Sequence, residues 1–253
     1  MNTYLKINAE LPPGLPYLDL NSLSLPKSLV DIGNIRRGYR FTAGLDDVTG
    51  AEGSHVVGTA VPVADGYILG KSGYIDTGLK ETNEFLRVIL VRSSANGDVY
   101  SPLISNYVNS AVSSDGKACG INLAKSWTGV KMSPANDTTA AVGFNAAALT
   151  AGNWALYALT RKLVSPNTYQ YHYSMKTKDK AKILVSSANA VGIVPDLQSN
   201  VCICWAPKSG TQFVDFSTTA NLASIHEVGL DQTQLSTLMD NLITELAAQG
   251  IDL

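Results

Sequence analysis

The chain has 253 residues, of which 45% are hydrophobic and 16% charged, with a formal net charge of −2. That is ample for one packed core, since all-β sandwiches run to roughly 200–250 residues as single domains. The balance of charge excludes the basic footprint of a nucleic-acid-binding surface, and no apolar run approaches the ~18 residues of a membrane span.

The opening, Met1-Asn2-Thr3-Tyr4-Leu5-Lys6, does not have the charged-then-apolar layout of a secretory signal, so synthesis in the cytoplasm without a signal peptide is expected. Leu11-Pro12-Pro13-Gly14-Leu15-Pro16 and Leu25-Pro26 then interrupt any regular element. Leu18, Leu20, Leu23, Leu29 and Val30 keep this stretch apolar, unlike the charged composition of a solvated tail. Residues 1–38 are therefore expected to form an extended arm, lying on their own domain or on a neighbouring subunit, and residues 39–253 a single sandwich.

From Tyr39 onward the pattern is one of short strands and turns. Tyr39-Arg40-Phe41-Thr42 alternates, and Gly66-Tyr67-Ile68-Leu69 and Tyr74-Ile75-Asp76-Thr77 flank a turn at Gly70 to Gly73. Phe85 to Val91 is apolar at almost every position, the mark of a strand covered on both faces. Asn96-Gly97-Asp98 and Ser113-Ser114-Asp115-Gly116 read as turns. Further runs follow at Gly120–Leu123, Ala140–Phe144, Trp154–Thr160, Tyr169–Met175, Lys182–Val185 and Val201–Ala206. Strands this short, punctuated by Gly, Asn, Asp, Ser and Pro, predict an all-β antiparallel sandwich.

Ser224 to Leu230 reads as a last strand, after which one amphipathic helix closes the chain. Leu235, Leu238, Met239, Leu242, Leu246 and Ala247 share one helical face. Asp231 is placed as the N-cap with Gln234 completing a capping box, and Gly250 as the stop. The apolar face is expected to lie against a sheet edge or the sandwich base. Cys202-Ile203-Cys204 has strand spacing that puts both thiols on one face. With Cys119 the total is odd, so buried free thiols are expected rather than a disulfide framework or zinc site.

Several of these segments, in order, resemble the concanavalin A-like jelly roll in its laminin-G-like form, as found in phage and bacterial surface proteins. They are Asp47-Val48-Thr49-Gly50 with Gly53 and His55; Gly73-Tyr74-Ile75-Asp76-Thr77-Gly78-Leu79 before Phe85–Val91; Pro102-Leu103-Ile104-Ser105; Gly152-Asn153-Trp154-Ala155-Leu156-Tyr157; and Ile225-His226-Glu227-Val228 before the helix. The resemblance spans Tyr39 to Leu253. It implies recognition of sugars or protein surfaces at loop edges or on a sheet face. With the Pro-rich segment ahead of it, the domain is also similar to phage tail and fibre proteins. That likeness implies a virion location, self-assembly into a homo-oligomer, contact with other virion proteins, and host-surface glycan as a ligand.

Some relatives are glycosidases or polysaccharide lyases, but the E-x-D-x-E strand of the glycosidases and the dense Asp/Asn loop of calcium-dependent lectins do not occur here. Glu81 and Glu84 lie in a turn, Glu227 and His226 point to opposite faces of a strand, and there is no Gly-x-Ser-x-Gly elbow. His55, His172 and His226 are not spaced as a metal set. The protein is therefore read as non-enzymatic, the alternatives being a carbohydrate-active enzyme on the same fold or a purely architectural capsid decoration protein. No cofactor is expected; Asp46, Asp47 and Asp76 leave calcium as the alternative, although Asp in Gly-rich loops more often forms turns with its own side chain. Aromatic residues are the better binding candidates, because sugars stack apolar faces on them. Trp127, with polar flanks and Lys125 beside it, is placed in a ligand-binding loop together with Tyr107. Tyr169, Tyr171 and Tyr173 share one strand face and are assigned to packing over the core or an interface, and Trp154 and Trp205 to the core.

Overall fold

The computed structural model describes residues 24–93, 101–107, 120–124, 127–130, 142–144, 150–191, 195, 197, 199–207 and 217–253. It opens with a short helix, α1 (Lys27–Ile32), and a strand, β1 (Ile35–Arg40). Four short strands follow: β2 (His55–Gly58), β3 (Val61–Val63), β4 (Gly66–Leu69) and β5 (Gly73–Asp76). Then come β6 (Phe85–Ser93), β7 (Ser101–Ser105), β8 (Gly120–Ala124), β9 (Trp127–Val130) and β10 (Val142–Phe144). The second half contains β11 (Trp154–Ser165), β12 (Thr168–Thr177), β13 (Lys180–Ser186), β14 (Ala190–Val191), β15 (Cys202–Ile203) and β16 (Thr218–His226). Helix α2 (Gln232–Ala248) closes it.

The strands form two antiparallel sheets. The larger runs β13-β12-β11-β6-β16-β4-β3, with β1 also on β16 and β14 also on β12; the smaller runs β10-β9-β8-β7-β15-β5-β2. This is the all-β sandwich with a C-terminal helix that the sequence predicts.

Alternation along β6 shows how the layers pack. Phe85, Ile89 and Val91 point into the sandwich, where Tyr39, Ile75, Leu103, Ile121, Tyr157, Ile203 and Ile225 complete the interior. Leu86, Val88 and Leu90 point the other way and meet Leu235, Leu238, Met239, Leu242 and Leu246 of α2. Helix α2 thus covers the outer face of the larger sheet rather than an edge or the base. Tyr169, Tyr171 and Tyr173 are core residues, one of the two placements expected for them. Trp154 packs half-buried on the helix side, under the Arg92 guanidinium at 4.8 Å.

The ends of α2 follow their sequence signals. Asp231 Oδ1 accepts from Gln234 N at 2.9 Å, and Gln234 Oε1 accepts from Asp231 N at 2.9 Å, closing the capping box. At the other end Gly250 has φ +80°, its N–H reaches Ala247 O and the Ile251 N–H reaches Leu246 O, a Schellman termination. Ala247, placed on the apolar face from spacing, is exposed; the buried stripe is narrower by that position. The last strand is also displaced from its expected span. It begins at Thr218 and ends at His226, and residues 227–230 lead into the helix outside the ladder.

The N-terminal stretch is continuous with the sandwich over its described part. Residues 27–32 are helical, and β1 pairs with β16 from Ile35↔His226 to Arg40↔Leu222, running across residue 38. Ser28 N and Oγ donate to the Glu245 carboxylate, which fastens α1 to α2.

His226 sits beneath this junction, 1% exposed. Its Nδ1 lies 2.9 Å from the Gly33 carbonyl, which can only accept. Nδ1 therefore carries the hydrogen, and Nε2, 3.2 Å from the Ser224 hydroxyl, accepts. Burial pulls the pKa of His226 below the usual histidine value despite the opposing Gly33 bond, and burial shifts His172 the same way. As pH falls through ~6.5 the unfolded chain therefore takes up protons before the folded one does. This contribution to stability is complete above that pH and declines as pH falls toward the folded-state pKa. Each histidine adds a slope of at most about 1.4 kcal/mol per pH unit. Urea unfolding followed from about pH 7.5 to about pH 5.5 should show this decline, and His226→Gln should flatten it; an unchanged slope in the variant would refute the assignment.

Candidate functional site

A cavity of about 250 Å³ opens on the outer face of the smaller sheet, where β7, β15 and β5 lie side by side. Alternation supplies its walls. In β5 Ile75 enters the core, so Tyr74 and Asp76 face outward into the cavity. In β15 Ile203 enters the core and Cys202 faces outward. Asn106 and Tyr107 reach the cavity from the end of β7, Ser199 and Asn200 from the approach to β15, and Lys80 and Pro207 complete the rim.

Asp76 is held in a fixed orientation. Its Oδ1 accepts from Gly78 N at 2.9 Å, and Asn200 Nδ2 donates to both carboxylate oxygens at 2.9 and 3.0 Å. The turn that makes this possible needs glycine at 78: φ is +68°, and a Cβ there would collide with the Gly53 carbonyl. Thr77 Oγ1 donates to Val201 O at 2.6 Å, and Arg37 Nε donates to Thr77 O at 2.9 Å, tying the same turn to β15 and β1. Burial, reinforced by the nearby Asp76 charge, pushes the Cys202 thiol up to about 12, so it is a neutral, unreactive wall. Burial, with smaller effects of Cys202 and Asp76, also raises the Tyr74 hydroxyl.

Asn106 is anchored by a buried ion pair. Arg161 of β11 is 1% exposed and lies over the rings of Phe85, Tyr169 and Tyr171 at 4.9, 5.5 and 5.8 Å. It pairs with Glu81 and also donates to the carbonyls of Thr82 and Asn83, gripping the whole loop before β6. The second Glu81 oxygen accepts from Asn106 Nδ2 at 2.9 Å. The same loop lines a wider cleft of about 760 Å³, which also includes Asn34, Arg36, Glu84, Leu197 and Glu227. Three carboxylates face that cleft, and each is engaged: Glu81 with Arg161, Glu84 with Leu163 N at 3.0 Å, and Glu227 with Arg36.

The sequence-derived site residues are distributed unevenly over these features. Tyr107 lines the smaller cavity but is only 7% exposed, packed with Trp205, Ala206 and Tyr74. Trp127 opens β9 of the same sheet, which lies three strands from β15, and Lys125 lies outside the described residues. Trp205 belongs to this small satellite cluster, not to the main interior, with Lys71 Nζ 5.9 Å from its ring. The two thiols do not share a face. Cys204 has φ +63°, which ends the alternation after Ile203 and turns its side chain into the core. Tyr74, Asn106, Ser199 and Asn200 were not singled out from sequence. Alternation in Tyr74-Ile75-Asp76 is the one signal that could have found any of them.

Asp47 forms a turn with its own side chain. Its Oδ1 accepts from Gly38 N at 2.9 Å, Thr49 N at 3.0 Å and Thr49 Oγ1 at 2.8 Å, and Oδ2 is 3.4 Å from Arg37 Nε. Among the described residues no three His, Cys, Asp or Glu side chains come together as a metal set, and no helix is long and apolar enough to cross a membrane.

No family model matches the chain, and no curated protein matches its sequence. Solved structures do share the fold. The chain is similar to botulinum neurotoxin type C, whose cell entry is dependent upon interaction with two ganglioside molecules: the TM-score is 0.53 at 12% identity, over 83% of this chain and 51% of that one. It is similar to the binding domain of botulinum neurotoxin serotype D, with TM-score 0.53 at 6% identity over 83% and 51%. It is also similar to Trypanosoma rangeli sialidase in complex with sialic acid, with TM-score 0.57 at 15% identity over 84% and 33%. At these identities the likeness is one of fold, and the chain spans about half the length of the toxin chains and a third of the sialidase.

Removing one member of the Arg161–Glu81 pair leaves the other charge buried. Glu81→Leu should cost about 3–5 kcal/mol of stability by urea unfolding, and Glu81→Leu combined with Arg161→Met should recover much of it. A single-variant loss below about 1 kcal/mol would show that the pair does not anchor the loop.

Proposed function

We propose that this chain is a non-enzymatic recognition module, a phage virion component whose sandwich binds host-surface glycan in the cavity formed by β5, β7 and β15. The observation that carries this reading is the make-up of that cavity. The half-buried ring of Tyr74 stands beside a rigidly held carboxylate, Asp76, and the amide of Asn200. An apolar ring face beside fixed polar groups is what a sugar requires, since its own faces are apolar and its edges hydroxylated. The fold is compatible with such a role: it recurs in a toxin whose cell entry depends upon gangliosides and in a sialidase solved with sialic acid. The non-enzymatic part is supported by the engagement of Glu81, Glu84 and Glu227 in the wider cleft, where hydrolysis would need two carboxyl groups free to face one glycosidic bond. The reading calls for no cofactor.

The virion assignment is supported by the ordered resemblance to laminin-G-like phage surface domains and by the apolar, Pro-rich sequence of residues 1–38. It implies a homo-oligomer that also contacts other virion proteins.

A glycan array should reveal binding by the intact chain. Tyr74→Ala should weaken it about tenfold, the value of one aromatic contact of roughly 1.4 kcal/mol. Release of reducing sugar from bacterial polysaccharides, abolished by Glu84→Gln, would replace this reading with a carbohydrate-active enzyme. Assembly is checked separately by sedimentation of the full chain, which should give a species larger than the 26.8 kDa monomer; a monomer at all concentrations tested would overturn it.

A further inference from the structure

Ser199 lines the cavity and is 6% exposed, and its Oγ is buried with no hydrogen-bond partner. A hydroxyl in that state costs stability, because it has left water and gained nothing in exchange. Such groups call for an explanation, and a ligand hydroxyl is the one this location offers. Beside it, Asp76 accepts three hydrogen bonds from Gly78 N and Asn200 Nδ2. A carboxylate has room for about four donors, so one position remains on Oδ2. The cavity thus presents one unfilled acceptor and holds in its wall one buried hydroxyl that can both donate and accept. Two neighbouring hydroxyls of a sugar ring meet that pattern.

Charge narrows the class. The fixed carboxylate of Asp76 faces the same space, and the rim cation, Lys80, already interacts within the protein. A second carboxylate placed here would stand against Asp76 in a partly desolvated site. Size narrows it further. At about 250 Å³ the cavity lies below the roughly 300–1,000 Å³ of sites for drug-sized ligands, and one ring fills it. We infer that this cavity takes a single uncharged pyranose ring of a glycan, with neighbouring hydroxyls bound to Asp76 and Ser199 and an apolar face against Tyr74. The inference rests on the recognition reading above and specifies its ligand.

The test uses saturation-transfer NMR and titration of the full chain with methyl glycosides of glucose, galactose and mannose, and in parallel with glucuronic acid, galacturonic acid and sialic acid. At least one neutral glycoside should bind and the acids should not. Ser199→Ala removes only the unpartnered oxygen, so its melting temperature should be equal to or above that of the wild type. Its dissociation constant for the neutral glycoside should rise three- to tenfold, the value of one neutral hydrogen bond. A readout of folding alone would not move in this way. Binding of the acids in preference to, or equally with, the neutral sugars, with loss in Tyr74→Ala, would overturn the inference and leave the recognition reading standing. Neutral binding unchanged in Ser199→Ala would overturn the assigned contact. Silence of all six ligands would overturn the inference, and the recognition reading would fall with it only if the glycan array is silent as well.

Discussion

The constraint on which the rest of the structure depends is that the larger sheet is covered on both faces. Its central strand, β6, sends Phe85, Ile89 and Val91 into the sandwich and Leu86, Val88 and Leu90 toward α2. A strand in an ordinary two-layer sandwich can leave its outer residues polar; this one cannot. Without α2 those leucines, with Leu156, Ala158 and Leu222, would form a contiguous apolar patch in water. The five buried side chains of α2 each contribute about 1.5–3 kcal/mol against that surface. The helix is therefore a third layer and not an appendage. It also settles which surfaces remain for binding, because the larger sheet has no free face over its centre while the smaller sheet turns Tyr74, Asp76 and Cys202 outward.

Both ends of the described chain are fastened to this arrangement. The Glu245 carboxylate accepts from Ser28, and Arg40 reaches from β1 to Asn221 at 2.8 Å and to Gln249 at 2.6 Å near the end of α2. Asn221 sits where the β16 register slips between Ala220 and Leu222, so that β16 can pair with β4 below the irregularity and with β1 above it. Its side chain also donates to Asp65 O at 2.9 Å, holding the turn between β3 and β4. One bulged residue thus joins two edge segments, the loop at 65 and, through Arg40, the helix end.

Much of this was legible in the sequence, because the signals are local. The Asp231–Gln234 box, the Gly250 stop and the helical spacing of Leu235 to Leu246 depend only on near neighbours, and they are present in the structure. The run at Phe85–Val91, apolar at every position but Arg87, announced two covered faces. Boundaries set by tertiary pairing were less accessible: β16 starts at Thr218 because β4 and β6 flank it there, and it runs on through Asn221, a residue type that strands disfavour. The positive φ at Cys204 is of the same kind, imposed on a residue whose type gives no hint of it. The cavity was the least legible feature. Choosing Trp127, Lys125 and Tyr107 rested on residue type, whereas the cavity is assembled from three separate stretches: Tyr74–Lys80, Asn106–Tyr107 and Ser199–Pro207. Only Tyr107 is common to both. Arg161, which anchors Asn106 through Glu81, lies on yet another stretch, between the second and third of these.

The cavity lies where β15 meets the ends of β5 and β7. A central strand of only two residues satisfies the ladders of its neighbours at Ile75–Asp76 and Ile104–Ser105 and then ends. At the Cys202 end its neighbours stop as well, Asp76 and Ser105 being the last residues of β5 and β7, and the backbone beyond them needs other partners. Side chains and irregular backbone supply them: Thr77 Oγ1 bonds to Val201 O, Cys204 N to Leu103 O, Asn200 to Asp76, and Asn106 to Glu81. A sheet repaired in this way has polar side chains concentrated where a full strand would have presented alternating residues and a closed surface. The recess therefore sits at the ends of three strands, lined by side chains that bond to one another, and Ser199 in its wall is where one hydroxyl stays unmatched.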